Sequence, residues 1–223
     1  MKIIFIGKVY FSYEMLLEII DFSVKNSKIS INVISSKKDS FNSDYKNLIP
    51  LCKKNRIEYH LTKDINGLKT LNWIRKRDPD LILCCGWSRL LKKDILNIPR
   101  FGVIGYHPAL LPNNRGRHPL IWSIALGLKK TASTFFLMDE GADTGDIVSQ
   151  KLIIIKNDNS TSLYGKIIKT AKPQIIQIIK NIIRGKIKIL KNKKIGNTWR
   201  KRSYVDGQID WRMSADSIIN LMK

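Results

Sequence analysis

An open, doubly wound α/β sheet, mostly parallel, is the fold the sequence predicts, and three observations predict it. Short apolar runs alternate with amphipathic stretches through the first hundred residues. One of these runs, Leu81 to Cys85, is apolar throughout, as expected of a strand buried on both faces of a parallel sheet. Loops rich in Gly, Pro or polar residues follow Gly7, Cys85 and Tyr106, where ligands of such sheets bind, beyond the carboxyl ends of the strands.

Taken in order, KIIFIG (2–7) is the first strand, and 13–25 is helical through Leu16, Leu17, Ile20 and Val24. KISINVISS (28–36) is a second strand, 45–55 a short helix, IEYHLT (57–62) a third strand and 64–77 a further helix. DLILCC (80–85) and FGVIGY (101–106) follow as strands, and a helix is expected at 119–127. Segments 131–138 and 147–155 read as two more strands joined by an acidic, glycine-rich turn, DEGADTGD. A long helix spans 161–183, with Thr161 as its N-cap and Pro173 inside, where it kinks or splits the helix. Beyond Gly196 the chain is polar and irregular, then ends in a short amphipathic piece at 214–222. The division implied is a domain at 1–195 and an extension at 196–223.

The 223 residues, 43% hydrophobic and 26% charged, suffice for one buried core. No apolar run approaches the roughly 18–20 residues that span a bilayer. KIIFIG leads directly into polar residues, as a strand does and a signal peptide does not, so a cytoplasmic protein is expected. Cys52, Cys84 and Cys85 lack metal-ligand spacing and read as reduced, buried thiols. The net charge is +22, and no Asp or Glu lies between Asp158 and Asp206. Two readings follow: lysines filling solvated helix faces, or contact with RNA. Isoleucine is as frequent as lysine in that stretch, which favours the first.

Two loops carry candidate chemistry. Gly105 to Pro119, GYHPALLPNNRGRHP, has three prolines, His107 and the Arg115-Gly116-Arg117 turn. Asp139 to Asp146 has four carboxylates and two glycines without the EF-hand register; a solvated hairpin turn and a metal loop both remain open. A lone His such as His107 is either a hydrogen-bonded structural residue or a catalyst, and its place at the end of a central strand favours the second. His60, within a strand, reads as structural, and His118 either touches a ligand or caps the following helix. The loop after Gly7, GKVYFS, lacks GxGxxG, which argues against a dinucleotide site.

The run HPALLPNNRGRHPLIWSIALGLKKTASTFFLMDEGADTGDIVSQ (107–150) resembles the folate-dependent formyltransferase family, which includes methionyl-tRNA, glycinamide ribonucleotide and amino-sugar formyltransferases. The matching features are a His-Pro-x-Leu-Leu-Pro loop, an Asp-x-Gly turn about 35 residues later, and Gly86-Trp87-Ser88-Arg89-Leu90-Leu91 upstream. The resemblance extends over essentially the whole chain, including TWRKRSYVDGQIDW (198–211).

The resemblance implies 10-formyltetrahydrofolate as co-substrate and no metal. An amine attacks the formyl carbon, and His107 stabilises the negative oxygen of the tetrahedral intermediate. Asp143 orients His107 and relays protons. Main-chain groups of 87–91 and of Asp139, Glu140, Gly141, Ala142 and Asp143 would hold the pterin, beside Gly86, with Trp87 and Leu90 as apolar walls. The family carries an Asn two residues before the loop His as a second oxyanion donor; here that position is Gly105. A main-chain N–H, a water, Asn113 or Asn114 substitutes for it, or the protein is impaired.

Phe11-Ser12, Phe41-Asn42-Ser43-Asp44 and Arg115-Gly116-Arg117 are most similar to the amino-sugar branch. That implies a nucleotide-linked amino-deoxy sugar of the kind used in surface glycans, met by Lys8, Phe11, Ser12, Asn42, Ser43, Arg115, Gly116 and Arg117, with Arg117 and Lys8 toward phosphate or hydroxyls. The expected partners are small molecules rather than nucleic acid or membrane, and a homodimer is left open. Two alternatives stand beside this reading: an enzyme like methionyl-tRNA formyltransferase that uses the basic 166–202 stretch, and a non-catalytic folate- or nucleotide-binding relative.

Overall fold

Buried β-branched and aliphatic runs build the centre of the molecule, which is described at residues 1–26, 28–38, 43–192 and 195–223 in a computed structural model. Five parallel strands, β1 (Lys2–Ile6), β2 (Ser30–Ser35), β3 (Glu58–Leu61), β4 (Leu81–Cys84) and β5 (Val103–His107), pair in the order β3-β2-β1-β4-β5. A two-residue strand, β6 (Arg115–Gly116), stands outside this sheet. β7 (Lys130–Leu137) adds antiparallel to β5, and β8 (Ile147–Ile154) adds antiparallel to β7. The sheet is therefore mostly parallel, as the sequence predicts, with a hairpin at one edge. All four residues of β4 are buried, as its unbroken apolar run requires.

Helices cover both faces. α1 (Tyr10–Val24), α2 (Ile49–Lys54) and α6 (Ser160–Ile183) pack Met15, Leu16, Ile19, Leu51, Ile175 and Ile179 on one face against Phe5, Leu83 and Phe135. α3 (Leu68–Arg77) and α4 (Lys93–Leu96) cover the other with Leu71, Ile74 and Ile95. α5 (Pro119–Ala125) follows the His107 loop, and α7 (Ala215–Met222) lies near it at the C-terminal end of the chain. No helix of the described residues is long and apolar enough to cross a membrane.

The structure departs from the predicted boundaries for local reasons. α1 begins at Tyr10, three residues early, because Ser12 Oγ accepts the main-chain N–H groups of Lys8 and Val9 and closes the first turn. α2 is shorter than the predicted 45–55. The cap of α6 is Asn159, not Thr161: its Oδ1 accepts the Ser162 N–H at 2.8 Å, and Ser162 Oγ returns to the Asn159 N–H. Pro173 does not split α6, which runs unbroken for 24 residues. Buried Ala171, Gln174 and Ile175 on either side hold that turn against the sheet, offsetting the proline penalty of about 3 kcal/mol.

The segment 196–223 is woven into the rest. β9 (Thr198–Trp199) pairs with β6, Trp122 Nε1 donates to the Arg200 carbonyl, and the Ser160 N–H reaches the Lys223 carbonyl.

All three cysteines are unpaired and buried. Burial pushes the Cys52 thiol up to about 11 and the Cys84 thiol to about 12. Since the thiolate is the nucleophile, none of the three thiols should react with a soluble disulfide reagent at pH 8 within minutes, and all three should react after unfolding in guanidinium. Rapid labelling of the native protein would contradict the packing described.

Candidate active site

The turn from β1 into α1 and the loop after β4 meet where the strand order reverses. Ser12 Oγ donates to the Cys85 carbonyl at 2.6 Å, and the Cys85 N–H reaches the Ile6 carbonyl. Gly86 follows with φ +72, and a Cβ there would lie 2.2 Å from Val9 Cγ2; only glycine tolerates both conditions.

His107 ends β5 and is buried. Its loop is tied down by β7 and β8: Thr131 and Thr134 hydroxyls donate to the Pro108 and Ala109 carbonyls, and Gln150 Nε2 donates to the Leu111 carbonyl. The imidazole Nε2 lies 2.8 Å from the Asn114 carbonyl oxygen, and Nδ1 lies 3.4 Å from Asp143 Oδ2. Because a carbonyl only accepts, Nε2 carries a hydrogen in this arrangement. Both ring nitrogens thus face oxygen atoms.

Asp143 reaches the ring from the acidic turn between β7 and β8, at φ +57, a left-handed conformation that Asp tolerates better than most residues. The same Oδ2 accepts the Gly116 N–H at 2.9 Å, and Asn192 Nδ2 donates to the main-chain carbonyls of Asp143 and Gly145. Two other acids of the turn bond to the chain itself. Asp139 accepts from the Gly141 N–H and the Thr144 hydroxyl, and Asp146 from Lys191 and the Asn192 N–H. Among the described residues no group of three or more His, Cys, Asp or Glu is arranged to hold a metal.

A cavity of about 640 Å³ opens beside His107, lined by residues from six segments that include Phe11, Ser43, Asp44, Gly86, Tyr106 and Tyr164. That volume suits a small organic ligand. Phe11 stacks on Tyr106 with ring centroids 4.2 Å apart. His118 starts α5 at φ +54 without capping it through its side chain, and it also lines the cavity. Burial, with the nearby charges of Arg117, Lys201 and Arg202, keeps its imidazole below the usual range. His60 stacks on Trp73 and bonds Thr70, away from this site.

Phe11, Ser43, Gly86 and His107 are the predicted site residues that line the cavity. Ser12 is fully buried, its hydroxyl engaged three times in the α1 turn. Lys8 is buried with Nζ 5.4 Å from the centroid of the Trp87 ring. Arg115 is buried, Gly116 binds Asp143, and Arg117 is exposed with its N–H on the Trp199 carbonyl. Asn42 and Phe41 lie outside the described residues. Asp139, Glu140 and Ala142 are exposed and Gly141 half-buried.

In the loop after β4, Ser88, Arg89 and Leu90 are exposed, while Leu91 packs in the core below β4. The Leu90 carbonyl and the Lys92 N–H are both taken by the Asn66 side chain. Trp87 Nε1 is buried and meets no acceptor among the described residues. An unmatched indole donor in this loop fits a heterocycle rich in acceptors.

At Gly105, a Cβ would stand 2.8 Å from Met138 Cγ and 3.0 Å from Phe136 Cζ. Met138 therefore occupies the space that a side chain at this position would need. The atom of Asn114 that faces His107 is its main-chain carbonyl oxygen. Sequence reasoning missed Tyr164 as a cavity residue, because it hides beside the apolar stripe of α6; Asp44 ends a stretch read as similar to the amino-sugar branch, without a site role of its own.

A family model described as formyl transferase matches residues 1–179. The chain belongs to the formyl transferase family. Among its relatives, the bifunctional polymyxin resistance protein ArnA of Wigglesworthia glossinidia brevipalpis is 35% identical over 172 residues, 76% of this chain and 26% of that one. A methionyl-tRNA formyltransferase of Clostridium perfringens is 32% identical over 160 residues, 71% of this chain and 52% of that one. The chain thus spans about half or less of these relatives. The N-formyltransferase of Helicobacter canadensis, solved in complex with folinic acid and dTDP-3-aminofucose, superposes with a TM-score of 0.76 at 20% identity, covering 99% of this chain and 79% of that one. The last likeness is one of fold.

In this formyl transferase, Gly105→Ala should destabilise by about 1–3 kcal/mol through overpacking. Met138→Ala in the same chain should recover part of the loss in thermal midpoint. Gly105→Ala as stable as the wild type would show that Met138 does not fill the position.

Proposed function

We propose that this formyl transferase moves the formyl group of 10-formyltetrahydrofolate to the amine of a nucleotide-linked amino-deoxy sugar used in surface glycans. The observation that carries the reading is the His107–Asp143 contact at the wall of a cavity beyond the carboxyl ends of β1, β4 and β5. Family membership supports the reaction class. The Helicobacter canadensis protein, solved with folinic acid and dTDP-3-aminofucose, supports the substrate class.

The folate supplies an activated formyl group. His107 Nε2–H would leave the Asn114 carbonyl for the formyl oxygen as negative charge develops there. Asp143 Oδ2, fixed by the Gly116 N–H, keeps the ring in that orientation, while proton transfer from the amine to the leaving nitrogen runs through the pair or a water it holds. Trp87 Nε1–H would meet an acceptor of the pterin. Arg117 stands as the exposed cation of this region for the substrate's phosphates.

A second reading rests on the methionyl-tRNA formyltransferase relatives and the acid-free stretch between Asp158 and Asp206. An incubation with 10-formyltetrahydrofolate separates the two. We expect turnover of a nucleotide-linked amino sugar, whereas formylation of charged initiator tRNA with steep salt dependence would favour the second. Binding of both small molecules without turnover would favour a non-catalytic relative. His107→Ala and Asp143→Asn should each lower kcat/KM by roughly 10²–10⁴-fold with unchanged circular dichroism; near-normal rates in either variant would remove its assigned role.

A further inference from the structure

One carboxylate-bearing residue lines the cavity among the described residues, and it is not Asp143. Asp44 stands in the wall together with Phe11, His107 and Tyr164. Three segments far apart in sequence build its position. Its carbonyl accepts the Tyr10 N–H at 2.9 Å, at the first turn of α1. Its Oδ2 accepts the Tyr164 hydroxyl at 2.6 Å, a short bond of the charge-assisted kind. The Tyr164 oxygen in turn accepts the Phe11 N–H at 2.9 Å. A main-chain donor thus polarises the phenol, and the phenol fixes the carboxylate.

Burial raises the Asp44 carboxyl above the usual carboxylate range, and the Tyr164 and Tyr10 hydrogen bonds offset that only in part. Burial and the same carboxylate push the Tyr164 hydroxyl well up, so it remains a donor at any physiological pH. Most of the lining that Asp44 shares is apolar or aromatic, including Phe11, Tyr106, Leu120, Ile121 and Ile167. A carboxylate fixed at the wall of a cavity beside His107 can receive hydrogen-bond donors of a bound ligand. The amine-bearing substrate of the proposed reaction carries such donors as ammonium and hydroxyl groups.

We infer that Asp44 is a substrate-binding residue, whose carboxylate receives ammonium or hydroxyl donors of the formyl acceptor, and that Tyr164 is the positioning residue that holds it. The inference rests on the proposed reaction, since the acceptor is that reaction's amine. It adds a contact distant in sequence from His107 and Asp143, in the wall that Asp44 shares with Phe11 and Tyr164.

The test is calorimetric binding to the full chain with folinic acid bound, using dTDP-3-aminofucose as probe. A lost hydrogen bond to a charged group predicts that Asp44→Asn weakens the probe by roughly 10–100-fold and leaves folinic acid within about twofold. Tyr164→Phe should weaken the probe less, by roughly 3–10-fold, again without touching folinic acid. Asp44→Glu should restore part of the loss. Repeating the titration with dTDP-fucose, which has a hydroxyl for the amine, tells ammonium from hydroxyl recognition: a loss in Asp44→Asn for the amino sugar alone assigns the ammonium, and equal losses assign a hydroxyl. Unchanged probe affinity in Asp44→Asn, or an equal loss for probe and folinic acid, overturns the inference. Should the wild type bind no nucleotide-linked amino sugar, the proposed substrate fails by itself. The carboxylate is then read with methylammonium, followed through the ring protons of Tyr164 and His107. Saturation in the wild type that vanishes in Asp44→Asn supports the inference, and identical behaviour of the two proteins refutes it.

Discussion

The contact between His107 and Asp143 joins a central strand to a turn 36 residues further on, and neither residue holds its place alone. The imidazole is set by β5 and by hydroxyl and amide donors from β7 and β8, which fasten the chain after it. The carboxylate is set by a left-handed backbone, the Gly116 N–H and Asn192. The antiparallel hairpin at the sheet edge therefore has a chemical consequence. β7 secures the histidine loop, and the turn after β7 delivers the carboxylate.

Gly116 and Asn192 extend this dependence to the C-terminal part of the chain. Gly116 lies in β6, which pairs with β9, and Asn192 precedes that strand. Residues 196–223 thus brace the loop that binds Asp143, although the sequence reads them as an appendage. Sequence position and structural role part here because a two-residue strand leaves no periodic signal.

The parallel sheet was legible because its strands are buried on both faces, so that runs such as Leu81 to Cys84 carry an unbroken apolar signal. That His107 and Asp143 belong together was legible only through the resemblance to the formyltransferase family, and the structure brings the two side chains within 3.4 Å. The cap of α6 was misread by two residues because Asn159, Ser160 and Thr161 can all accept from a helix N-terminus, and only tertiary placement of Asp158 and Ser162 selects among them. Ser12 reads as a ligand-binding side chain in sequence, while in the fold its hydroxyl donates to the Cys85 carbonyl, since the sequence does not show which polar groups the chain keeps for itself. The pairing of Asp44 with Tyr164 was hidden because 120 residues separate the two partners and it depends on α1 and α6 packing side by side.

The central claim, that imidazole and carboxylate act as one unit, is tested most directly by a double-mutant cycle on formyl transfer with His107→Asn, Asp143→Asn and the double variant. The account predicts a double variant about as slow as the slower single variant, because each substitution already disables the pair. Losses that simply multiply would contradict it and leave the two residues as independent contributors.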